Sequence, residues 1–93
     1  MRITELYWDD NNAGHLWAAH HVTVEEIEEL VFGSDDEPAR YLVQRDGDYY
    51  RLAGRTADGR VLVAVGEFMR DRRFRVFAAR DATAREKRRF LNR

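Results

Sequence analysis

The chain has no cysteine, and no apolar run in it approaches the length that a signal peptide or a membrane-spanning helix requires. The first absence excludes a disulfide framework and a thiolate-bound metal. The second makes a cytoplasmic protein without a membrane segment the expectation. Asp9, His15, His20 and His21 are metal-ligand types, but they lack the spacings that metal sites use, so no metal and no other cofactor is expected. Repeats, low-complexity tracts and interdomain linkers are missing too. Ninety-three residues at 44% hydrophobic content suit one core, hence one domain over 1–93.

A net charge of −1 conceals a division. Residues 1–50 hold three Arg against twelve Asp and Glu, a balance of −9; residues 51–93 hold thirteen Lys and Arg against five acids, a balance of +8. Phosphate binding depends on local basic surface, so the second half keeps nucleic acid among the candidate partners. The alternative is that the two halves neutralise each other on folding.

Ile3 to Trp8 alternates weakly and reads as a fifth, N-terminal edge strand. Asp9-Asp10-Asn11-Asn12 offers side-chain acceptors for the first amides of a helix running to about His20. Thr23 and Glu26 have capping-box spacing, Val22 and Ile27 stand at staple positions, and Val24, Ile27, Leu30 and Val31 form the apolar stripe of a second helix that Gly33 ends. After the acidic connector around Pro38 the apolar period falls to about two. Asp46-Gly47, Asp58-Gly59 and Arg70-Asp71-Arg72 punctuate four antiparallel strands near 40–45, 49–55, 61–67 and 73–80. Thr83 and Glu86 repeat the capping-box spacing before a basic C-terminal helix. The fold class is therefore α+β, with a helical layer expected over the Val61/Val63/Val65 face.

Taken in order, Trp8-Asp9, His15, His20-His21-Val22, Glu25-Glu26, Gly54-Arg55-Thr56, Asp58-Gly59-Arg60, Arg75, Ala79-Arg80 and Arg85-Glu86 make the chain resemble the BrnT family of small toxin-like proteins over nearly its whole length. The specific parts are the Gly-Arg-Thr-x-Asp-Gly-Arg block and the Arg-Val-x-x-Ala-Arg-x-x-Thr-x-x-Glu block. The resemblance implies a RelE-like ribonuclease fold, RNA as substrate, and an antitoxin of the BrnA kind with a ribbon-helix-helix part. It also implies that Arg55, Arg75 and Arg80 face the phosphate. The family pattern Lys-His-Gly-Val is here Ala19-His20-His21-Val22, and Phe90 replaces a tyrosine, which motivates an alternative without catalysis: a module that binds an antitoxin-like partner or a second copy of itself.

Metal-free RNA cleavage requires an activated 2′-hydroxyl, a stabilised phosphorane and a protonated 5′-oxygen. The catalytic candidates are His20, Arg55, Arg75 and Arg80; Arg60, Lys87 and Arg88 are candidates for RNA binding. Alternation along 73–80 puts Arg75 and Arg80 on opposite faces unless a bulge re-aims one of them. Structural roles compete at each position. Arg75 is placed to pair with Glu67 across a hairpin, Arg80 with Glu86 or Asp81, and His20 to cap a helix. Arg55 and Arg60 flank a turn where solvent alone would satisfy them, and the basic helix serves equally as a solvated face. His15 and His20 stand about 140° apart on a helix and cannot both face one site. Tyr49 and Tyr50 point to opposite faces of a strand, so one at most can stack on a base.

Overall fold

A computed structural model describes residues 3–34, 38, 39 and 41–91, with the side chains of residues 17–20 and 91 outside that description. Among the described residues the architecture is α+β. The elements are β1 (Glu5–Tyr7), α1 (Asp10–His20), α2 (Val24–Phe32), β2 (Tyr41–Asp46), β3 (Tyr49–Arg55), β4 (Val61–Phe68), β5 (Arg73–Asp81) and α3 (Ala84–Leu91). The strands form one sheet in the order β1-β5-β4-β3-β2. The four-strand meander is antiparallel throughout, and β1 joins its β5 edge in parallel, with Leu6 beside Phe74 and Tyr7 beside Arg75.

Local chemistry accounts for the element ends. Asp9 accepts the Asn12 amide at 2.9 Å and so caps α1, while buried Asn12 donates to the carbonyls of Tyr7 and Val76, tying helix to sheet. Thr23 and Glu26 close a reciprocal capping box, and Gly33 stops α2 with φ 78°. Gly47-Asp48 forms the β2–β3 loop, one residue later than the Asp46-Gly47 pair suggests, because Asp46 still pairs with Tyr49. Between β3 and β4, buried Thr56 exchanges backbone bonds with Arg60 and Gly59 and accepts the Arg60 amide on its hydroxyl.

β4 is a central strand buried on both sides, so the helical cover expected over its Val61/Val63 face is one of two. The Val61/Val63 side is covered by α3, whose Phe90 packs with Ala53, Val61, Val63 and Ala82. The larger helical layer, α1 and α2, lies over the opposite side, where Leu16, Val22, Ile27 and Leu30 meet Leu52, Leu62, Ala64, Phe74 and Val76. Alternation cannot distinguish the two sides of a strand that is apolar on both.

The pairing of β4 with β5 contains one irregularity. Val65 pairs with Ala78 and Gly66 with Val76, so Phe77 is an extra residue on β5 and forms a β-bulge.

Candidate nucleic-acid interface

The bulge decides which side chains share a surface. Before it, Phe74 and Val76 enter the α1/α2 core; after it, Ala79 does. One added residue reverses the alternation, so Arg75 and Arg80 come to the same face, the one carrying α3. Towards β1 this face has no helix over it among the described residues, and there Arg75 stands among aromatic rings. Its guanidinium carbon is 5.8 Å from the Tyr7 ring centroid and 5.9 Å from that of Phe77. Tyr49 meets Phe77 edge-on at 5.3 Å, extending the aromatic patch to β3, while Tyr50 turns into the core against Phe68.

Arg75 does lie opposite Glu67 in the strand register, but its ion pair is with Asp9, at 3.6 Å from Nη2 to Oδ2. The parallel strand β1 brings Asp9 there. The contact is long, and the buried Arg75 Nε has no hydrogen-bond partner among the described residues. Arg75 is thus held in place with donor capacity to spare.

Arg80 is occupied. Its guanidinium donates to both Glu86 carboxylate oxygens, at 2.7 and 3.1 Å, and to the Asp81 carbonyl. Glu86 also accepts the Thr83 amide, the reciprocal half of the α3 capping box. Hydrogen bonds from Arg80 and then from Thr83 pull the Glu86 carboxyl down to about 2, and the same pair raises Arg80. Arg60 is occupied more completely. Nε and Nη2 fork onto Asp81 at 2.7 and 3.0 Å, and Nη1 reaches Glu26 and the His21 carbonyl. The Asp81 fork is the largest influence holding the Arg60 proton, with burial opposing it and Glu26 adding to it.

Arg55, the last residue of β3, is exposed and borders a small cleft with Glu29, Gly33 and Ser34 at the end of α2, away from Arg75. The side chain of His20 lies outside the described residues; its backbone closes α1. Lys87 and Arg88 are exposed on α3. The four catalytic candidates are accordingly not gathered: Arg75 and Arg80 share a face, and Arg55 stands apart. Tyr7 and Asp9 stand with Arg75 on the open part of this face, and Arg51 lies on the same face beside α3; none of the three is marked as a site residue by the sequence. Alternation through Tyr49-Tyr50-Arg51-Leu52 was the available signal for Arg51, whereas nothing local indicates that β1 runs parallel to β5.

No helix among the described residues is long and apolar enough to cross a membrane. No protein-family model matches the chain, and no curated protein is significantly similar to it.

Proposed function

We propose that this chain is a cytoplasmic, RelE-like ribonuclease toxin of a type II toxin–antitoxin pair, partnered by a BrnA-like antitoxin with a ribbon-helix-helix part. One observation carries the reading: the Phe77 bulge sets Arg75 between Tyr7 and Phe77 on the helix-free part of the sheet, with Asp9 beside it. Unstacked RNA bases are held by aromatic faces and guanidinium planes, and the same cations neutralise phosphates. In this reading Arg75 exchanges its long contact with Asp9 for the scissile phosphate and stabilises the charge that develops there. Asp9, whose Oδ1 is fixed by capping α1 while Oδ2 faces Arg75, accepts the 2′-hydroxyl proton. The 2′-oxygen bonds to phosphorus as the bond from phosphorus to the 5′-oxygen breaks, and the proton taken by Asp9 is returned through solvent to the leaving 5′-oxygen, so the products are a 2′,3′-cyclic phosphate and a 5′-hydroxyl with no water consumed.

The test uses purified chain and a fluorescent single-stranded RNA. Wild type cuts the RNA to fragments with cyclic phosphate ends; Arg75→Ala lowers both retention and cleavage, each by about tenfold or more. Asp9→Asn abolishes cleavage while retention persists. Intact RNA after prolonged incubation with wild type sinks the catalytic reading.

A second reading, the non-catalytic module that grips an antitoxin-like partner or a second copy, is favoured by a different observation. Arg60 and Arg80 already hold carboxylates, so two of the cations expected to meet phosphate act as internal braces. Under it, RNA is neither cut nor retained and the partner alone is bound.

A further inference from the structure

Arg51 on β3 and Arg85 and Arg89 on α3 line one cavity of about 420 Å3, together with Thr83 and Glu86. Nothing in the internal chemistry of the fold explains this convergence. Arg85 and Arg89 are four residues apart and so share a helix face, where like charges destabilise a helix. Arg85 is also in the first turn of α3, at the positive end of the helix dipole. The one carboxylate on the wall, Glu86, is held by both Arg80 donors and by the Thr83 amide. Arg51 gives one Nη to exposed Asp46 at 2.9 Å, and its buried Nε has no hydrogen-bond partner among the described residues. Three guanidiniums and a helix start therefore surround a space whose one carboxylate is taken up by Arg80 and Thr83, and Arg51 gives only a single exposed pair to Asp46.

We propose that this cavity is a phosphate site, in which the guanidiniums of Arg51, Arg85 and Arg89 share one phosphate group. Arginine suits the task because its planar fork matches phosphate oxygens in pairs. The site is separate from Arg75: Arg51 pairs with Val65, which pairs with Ala78, so two strand spacings, on the order of 10 Å, lie between Arg51 and β5. Its assignment to a second phosphate along an RNA strand rests on the function proposed above; its affinity for a phosphate group does not.

Inorganic phosphate is titrated into the full chain at constant ionic strength, with thermal unfolding and guanidinium NMR as readouts. Phosphate raises Tm and shifts the side-chain resonances of Arg51, Arg85 and Arg89. Arg89→Ala weakens that binding about tenfold, and Arg51→Lys, which keeps charge and packing but loses the fork, weakens it as well. Arg70→Ala, in the distant β4–β5 turn, removes the same charge without effect. No Tm response to phosphate, or an equal response in Arg70→Ala and Arg89→Ala, overturns the site. With single-stranded RNA, Arg89→Ala lowers the salt slope of retention by about 0.7 if RNA supplies the phosphate. An unchanged slope alongside lost phosphate binding keeps the site, assigns it to free phosphate, and leaves the RNA reading to stand or fall on Arg75.

Discussion

Arg60 and Glu26, 34 residues apart, are joined by a single guanidinium nitrogen that stands 3.0 Å from both carboxylate oxygens. The rest of the Arg60 fork is on Asp81, so one side chain ties the start of α2 and the end of β5 to the turn before β4. The Arg60 and Glu26 side chains are 27% and 22% exposed, enough shielding for the pair to matter, whereas Asp81 at 62% is well screened. Arg60→Met is expected to lower stability by about 2 kcal/mol, mainly because Glu26 is left half-buried without its cation. Tm then falls by about 10 °C. Arg60→Lys recovers little, since an ammonium cannot fork. A urea midpoint within error of wild type for Arg60→Met sinks this account.

Glu86 supplies a pH signature. Its folded carboxyl titrates near 2, below the ordinary 4.5, because of the hydrogen bonds from Arg80 and from the Thr83 amide. A depressed folded value means that the stabilisation is fully present above the unfolded value and is lost as pH falls from about 5 towards 2. Glu26 is lowered as well, its Thr23 and Arg60 bonds outweighing burial, and it contributes in the same direction. Arg80 is 41% exposed, so screening reduces the Glu86 contribution to about 1–2 kcal/mol. Urea unfolding of Glu86→Gln is expected to give a flatter stability curve between pH 5 and 2 than wild type does. Parallel curves would show that Glu86 is not the group responsible.

The features legible in the sequence are those completed within a few residues. Thr23 with Glu26 and Thr83 with Glu86 announce two helices because each box closes on its own turn. The turns at Gly47 and Gly59 are legible for the same reason, and both glycines adopt positive φ. What depends on a distant strand was not legible. Glu67 does face Arg75 in register, yet Asp9 takes the ion pair because β1 runs parallel to β5 and delivers the residue after Trp8 to that spot. The bulge at Phe77 reverses the faces of Arg75 and Arg80 relative to each other, and only the backbone of β4 opposite it creates that irregularity. His21, just past the end of α1, adopts φ 54°, a conformation that its residue type alone does not announce.

The β4–β5 connection has a suboptimal residue. Asp71 and Arg72 both adopt φ 62°, the left-handed pair of a tight hairpin turn that favours Asp or Asn followed by glycine. A non-glycine residue in this conformation costs about 1–2 kcal/mol, offset by roughly 0.5–1 kcal/mol of extra freedom that glycine has in the unfolded chain. Arg72→Gly is thus expected to stabilise by about 0.5–1 kcal/mol. The carbonyls that bind Thr4, those of Asp71 and Arg72, are backbone groups and survive the change. Loss of stability on this substitution would mean that the Arg72 side chain contributes a contact worth more than the backbone strain.

Gly66 is where fold and proposed function meet. It pairs with Val76 at the bulge, and a Cβ built on it would collide with the Arg75 carbonyl oxygen and come within 2.6 Å of a Phe74 ring carbon. Backbone so close to backbone tolerates no side chain, which is why glycine is required at this position of β4. Gly66→Ala forces β4 and β5 apart, and overpacking of this kind costs about 1–3 kcal/mol. Because Phe77 is then no longer held in the bulge, Arg75 loses its place between Tyr7 and Phe77, so RNA retention falls together with stability. Arg75→Ala lowers retention with little effect on the urea midpoint, which separates loss of the cation from loss of the bulge. An alanine variant as stable as wild type and equal to it in RNA retention would show that the strand pairing yields without moving Arg75.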